Sequence, residues 1–160
     1  LTLPIDERSL GDIIKKDIIP FKQLINEGLE AIMPAHVVYS QVDSLPAGFS
    51  TKWIKQILRD ELKFNGVVFS DDLSMEGAAS MGDFKQRADL ALEAGCDMVL
   101  VCNNPTAAKD VLDHLPITED KTREQRLKSM LGKPQFSREQ LMALPQWQKI
   151  SKQIKNLSNA

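Results

Sequence analysis

Hydrophobic and polar positions along this chain switch between two periods, and the switches mark the elements. Ala31-Ile-Met-Pro-Ala-His-Val37, Val67-Val-Phe-Ser70 and Met98-Val-Leu-Val-Cys102 are short runs dominated by apolar residues. Runs of this kind predict parallel strands covered by helices on both faces. A segment at helical spacing follows each one. Ser50 caps a helix whose Trp53, Ile54, Ile57, Leu58 and Leu62 recur at i, i+3, i+4, and Asn65-Gly66 closes it. Asp83 opens a helix through Leu90, Leu92 and Ala94 that Gly95 ends, and Asn104-Pro105 starts one containing Ala107, Ala108, Val111, Leu112 and Leu115. Strands beginning near 31, 67 and 98 lie roughly 30 to 36 residues apart, the spacing of βαβ crossovers in a parallel sheet.

Upstream of these units, Leu1 to Ile5 reads as extended. Ser9 caps a helix from Leu10 toward Glu27, stopped by Gly28 and kinked or broken at Pro20. Between the second strand and its helix, Gly77-Ala-Ala-Ser-Met-Gly82 predicts a loop with one helical turn. From Thr118 onward the pattern is helical only: Ser137 and Gln140 form a capping box, and Leu141, Leu144, Trp147, Ile150, Ile154 and Leu157 form a stripe interrupted by Pro145. The expected division is therefore an α/β part over 1–117 and a helical tail over 118–160.

Charge sharpens that division. Residues 1–120 carry 11 basic and 20 acidic groups, whereas 121–160 carry 9 and 2, so a basic tail docked on an acidic body is expected. The overall net charge of -2 gives no reason to expect nucleic acid or an anionic membrane as partner. With 160 residues, 42% of them hydrophobic, the chain can bury a real core. No apolar run approaches the roughly 18 residues of a membrane span, and Leu1-Thr-Leu-Pro-Ile-Asp lacks a basic n-region and an apolar h-region, so no export is expected from this stretch. Cys96 and Cys102 flank one strand and would lie roughly 20 Å apart, too far for a disulfide, so free thiols and a cytoplasmic location are expected. With only His36 and His114 and no Cys-x-x-Cys, neither a metal site nor a cofactor is expected.

The candidate chemistry sits where the strand Val67–Ser70 runs into Asp71 and Asp72. Barrels of the α/β type place their reacting groups at C-terminal strand ends. Successive side chains of a regular strand point to opposite faces, so one aspartate should react and the other should cap the following turn or brace it. His36, Asp71 and Asn103 each end a predicted strand and belong to one rim. His36 is a candidate for contact with a ligand or for a hydrogen bond to the rim loop, Met75 for an apolar wall, and Asn103 for a lining position. His114, near a helix C-terminus, reads as a surface residue complementing the helix dipole.

Lys63-Phe-Asn-Gly-Val-Val-Phe-Ser-Asp-Asp-Leu-Ser-Met75 resembles the nucleophile segment of glycoside hydrolase family 3, in particular its bacterial cytosolic β-N-acetylglucosaminidases. Met33-Pro-Ala-His-Val-Val-Tyr39 and Ala94-Gly-Cys-Asp-Met-Val-Leu-Val-Cys-Asn103 resemble the neighbouring segments, in the same order. The likeness covers residues 1–117 well and the tail loosely. It implies a (β/α)₈ barrel and a retaining hydrolysis of terminal β-linked N-acetylglucosamine from peptidoglycan-recycling fragments, with Asp71 as nucleophile. Such a barrel needs around 250 residues. The chain is thus expected to supply its last three βα units, with the acid/base loop and the other sugar contacts upstream of residue 1. By itself it should be inactive. Its expected partners are the sugar substrate and the missing half of the barrel, and self-association of the isolated chain is the expectation for its open edges. A β-glucosidase of the same family and a noncatalytic half-barrel serving as a binding or assembly module are the alternatives.

Overall fold

The computed structural model describes residues 3–132 and 135–157. In chain order it contains β1 (Ile5–Asp6), α1 (Leu10–Lys16), α2 (Ile18–Asn26), β2 (Ala31–Ile32), β3 (Val38–Tyr39) and α3 (Lys52–Glu61). Then come β4 (Val67–Asp72), α4 (Phe84–Ala94), β5 (Met98–Leu100), α5 (Pro105–His114), α6 (Lys121–Ser129), α7 (Arg138–Ala143) and α8 (Pro145–Leu157). The main sheet is parallel, in the order β2-β4-β5, with Ala31 opposite Val67 and Phe69 opposite Met98. Helices fill the crossovers, as parallel pairing demands.

Most of the local signals act as their chemistry dictates. The Ser50 hydroxyl accepts from Trp53 N, Asp83 and Gln86 form a reciprocal capping box, and Asn104 caps α5 with Pro105 in its first turn. Gly95 adopts φ 117°, the left-handed stop that a side chain resists. The apolar stripe of α3 is buried at Trp53, Ile54, Ile57 and Leu58, although the helix is wound wide, with i→i+5 bonding. Alanines 88, 91 and 94 form the buried face of α4, in one core with Ile54, Leu58, Phe64, Val68 and Leu73.

Three expectations need correction. The long first helix is broken at Asp17, and Pro20 falls in the first turn of α2, where its missing N–H has no helical partner to lose. The first strand of the sheet stops at Ile32, four residues short of His36; Pro34 offers no N–H to a ladder, and the chain turns instead to β3. The pair β1 and β3, a parallel two-residue ribbon, was not expected, because two residues carry no readable period. Leu1 and Thr2 of the expected extended stretch lie outside the described residues.

Compact units span Leu1–Met130 and Leu131–Ala160. The basic residue Arg126 belongs to the first unit. Its guanidinium reaches the Asp97 carboxylate at 2.6 Å, and Arg59 reaches the other oxygen at 2.8 Å. Asp97 Oδ2 also accepts from Val68 N at 2.8 Å, while Asp97 N donates to Val68 O at 2.7 Å. Arg59 further donates to the carbonyls of Phe64 and Gly66. Gly66 is tight: a Cβ there would run into the Glu30 carbonyl. The second unit holds α7, opened by the reciprocal Ser137–Gln140 box, and α8, which begins at Pro145 as the broken stripe implied.

The Asp97 side chain is 1% exposed, so removing it strands two guanidinium groups and a strand N–H. Asp97→Ala is expected to lower stability by about 3–5 kcal/mol, read as a shift of the urea midpoint. A loss under about 1 kcal/mol would mean that these ion pairs do not hold the sheet.

Candidate functional site

The chain's central strand is irregular where its carboxylates begin. Phe69 pairs with Met98 and Asp72 with Leu100, three steps on β4 against two on β5, so β4 carries one extra residue across Ser70–Asp71. A bulge of this kind bends a strand and re-aims its side chains. The ladder bond lost at Leu100 N is replaced by the Ser70 hydroxyl at 2.9 Å, and Leu73 N closes the bulge on Leu100 O at 2.8 Å. Ser70 is 1% exposed and has no freedom to serve solvent.

Beyond the bulge the two aspartates part. Asp71 Oδ1 accepts from Asp72 N at 2.8 Å and Oδ2 from His36 N at 3.3 Å, toward the segment that follows β2. The group is half-buried at the rim and lies outside the hydrophobic core. Asp72 instead turns toward the end of β5. Its Oδ1 accepts from Cys102 N at 3.0 Å and Ser74 N at 2.9 Å, and its Oδ2 from the Ser74 hydroxyl at 2.7 Å. Burial pushes the Asp72 pKa up, but the donors from Cys102 and Ser74 together outweigh it and hold the carboxyl below its ordinary value. The neighbouring Cys102 thiol is pushed up, by desolvation first and then by the Asp72 charge.

His36 is 4% exposed, stacked on Phe49 with ring centroids 5.2 Å apart and planes 6° from parallel. Its Nε2 lies 3.1 Å from the carbonyl of Asp72. The His36 ring thereby meets the last residue of β4. Met75 is 46% exposed on the loop leaving Asp72. Asn103, exposed at φ 57°, follows Cys102 at the same edge; asparagine is among the residues that tolerate this conformation. The rim thus joins the segments after β2, β4 and β5. His114 lies elsewhere, 2.8 Å from Asp89 across α4 and α5.

Ser70 and Cys102 were missed as site residues: nothing in the sequence marks a bulge, and Cys102 acts here through its backbone. No cluster of three or more His, Cys, Asp or Glu suited to a metal occurs among the described residues. None of the described helices is long and apolar enough to cross a membrane, and Cys96 and Cys102 are both free thiols. An apolar cavity of about 240 Å³ lined by Ile13, Phe21, Ile32, Trp53 and Leu58 reaches Met33, Pro34 and Ala35 but none of His36, Asp71, Asp72, Met75 and Asn103.

A carboxyl with a depressed folded pKa stabilises fully above its unfolded value and loses that contribution as pH falls through the folded one. Wild type should therefore exceed Asp72→Asn in stability by a constant margin above about pH 5, and the margin should shrink below the ordinary value of 3.8. Urea midpoints measured across that range check this, and a margin that persists unchanged into the acid would contradict it.

The glycosyl hydrolase family 3 N-terminal domain matches residues 1–130, the extent of the first compact unit. A β-hexosaminidase of Glaesserella parasuis is 48% identical over 160 residues, covering 99% of this chain and 47% of its own length. A second, from Methylobacillus flagellatus, is 56% identical over 115 residues. Among solved structures, NagZ from Neisseria gonorrhoeae in complex with N-trifluoroacetyl-D-glucosamine is 41% identical at a TM-score of 0.81, over 98% of this chain and 45% of that one. A family 3 β-N-acetylglucosaminidase from Paenibacillus is 26% identical at a TM-score of 0.75. The chain spans about half the length of the curated relatives it matches. An α/β fold with a parallel sheet, the rim sequence carried on its central strand and a family match over most of its length together establish that this chain belongs to glycosyl hydrolase family 3.

Proposed function

We propose that this chain is part of a retaining glycosidase that removes terminal, non-reducing β-linked N-acetylglucosamine, with Asp71 as its nucleophile. The observation that carries the reading is the placement of Asp71: a half-buried carboxylate at the C-terminal end of the central parallel strand, held by two backbone N–H groups and free of the hydrophobic layer. The relatives' names and the sugar analogue in the gonococcal complex support the substrate class. In the first step an Asp71 oxygen bonds to the anomeric carbon while the bond to the leaving oxygen breaks, and that oxygen takes a proton from a general acid. Water then attacks the same carbon, releasing the sugar and returning Asp71 as a carboxylate.

The His36 ring is buried against Phe49 and directs Nε2 to a carbonyl, away from that role. In this reading the proton comes from a part of the enzyme outside this chain. Strands β2, β4 and β5 are the last three of a (β/α)₈ barrel in this reading, and closure by the other five removes the open edges of the three-stranded sheet. The two free thiols suit a cytoplasmic enzyme, and peptidoglycan fragments are the natural source of its sugar.

In the full-length protein carrying this chain, Asp71→Ala should reduce hydrolysis of an aryl N-acetylglucosaminide by about a thousandfold or more, a loss of roughly 4 kcal/mol in transition-state stabilisation. A fluorinated N-acetylglucosaminide that slows the second step should leave its mass on the peptide containing Asp71. Preference for the matching aryl glucoside would move the reading to a β-glucosidase, and label on another carboxylate would reject Asp71.

A further inference from the structure

Resting on the reading of Asp71 as nucleophile, we propose that His36 is its positioning residue, gripping residues 71 and 72 from both sides. Its backbone N–H donates to Asp71 Oδ2 at 3.3 Å, and its ring Nε2 lies 3.1 Å from the carbonyl of Asp72. A carbonyl only accepts, so Nε2 carries the proton in this contact. The two bonds act on different parts of the bulged strand end. One orients the carboxylate, and the other fixes the carbonyl just beyond the peptide whose N–H holds Asp71 Oδ1.

The surroundings leave the ring little choice. Phe49 stacks on it, and a Cβ at Gly77 would come within 3.3 Å of the His36 Cβ. Nδ1 is buried with no hydrogen-bond partner among the described residues, so the hydrogen bonding of the ring rests on Nε2. A ring kept for packing alone has no need of that nitrogen: phenylalanine would fill the same slot against Phe49. What phenylalanine lacks is the donor to the strand end. His36 also comes from a different βα unit than Asp71, so its grip ties the reacting carboxylate to the neighbouring strand segment rather than to its own loop.

The test uses the full-length protein with His36→Phe, His36→Gln and His36→Asn beside Asp71→Ala, each checked for an unchanged melting temperature. Gln carries its amide N–H about as far out as Nε2, and Asn does not. His36→Phe and His36→Asn should lower kcat and kcat/KM together by ~10- to 100-fold with KM nearly constant, the cost of a nucleophile slightly misplaced. His36→Gln should recover to within ~5-fold of wild type, since it restores the donor. Where His36→Phe fails to fold, the contrast of Gln with Asn decides. Wild-type kcat in the Phe or Asn variant, or Gln and Asn equally impaired, overturns the positioning role while an inactive Asp71→Ala leaves the glycosidase reading standing. An active Asp71→Ala overturns that reading and the positioning role with it.

Discussion

The Asp97 carboxylate is the constraint on which the first unit depends. It sits just before β5, at the end of the sheet opposite Asp71, and does three things at once. It replaces a missing ladder partner for Val68 N, anchors Arg59 of α3, and draws Arg126 of α6 onto the sheet. Charged groups buried this deeply are tolerable only when paired and hydrogen-bonded, and here both carboxylate oxygens are engaged. Arg59 continues the network by holding the Phe64 and Gly66 carbonyls, which fixes where β4 begins.

With the start of β4 and the approach to β5 tied together, the two strands run out in a set register until the extra residue at Ser70–Asp71. The bulge lies between a clamped end and a rim where side chains supply the bonds that the ladder has lost. Ser70 satisfies Leu100, Asp72 satisfies Cys102, and His36 meets the Asp72 carbonyl. One end of the sheet therefore carries stability and the other carries the carboxylates. Asp72 is the brace at the second end: its donors link β4 to the chain leaving β5, and Asp71 is left with only backbone contacts to its carboxylate.

The sequence by itself determined most elements of this protein and the place of its carboxylates, but not the β1–β3 ribbon or the point where β2 stops. Caps such as Asn104-Pro105, stops such as Gly95 and the run Val67–Ser70 act over a few residues, so their outcome is written locally. The pairing of β2, β4 and β5 followed from the same signals, because parallel neighbours need crossovers of that length. Tertiary structure alone decided the rest. The bulge depends on how β4 meets β5, the burial of His36 on Phe49 arriving from another loop, and the extent of the first unit on Arg126 finding a carboxylate 29 residues earlier in the chain. Each of these is a bond between residues distant in sequence, and a periodicity read along the chain carries no record of which distant groups will meet.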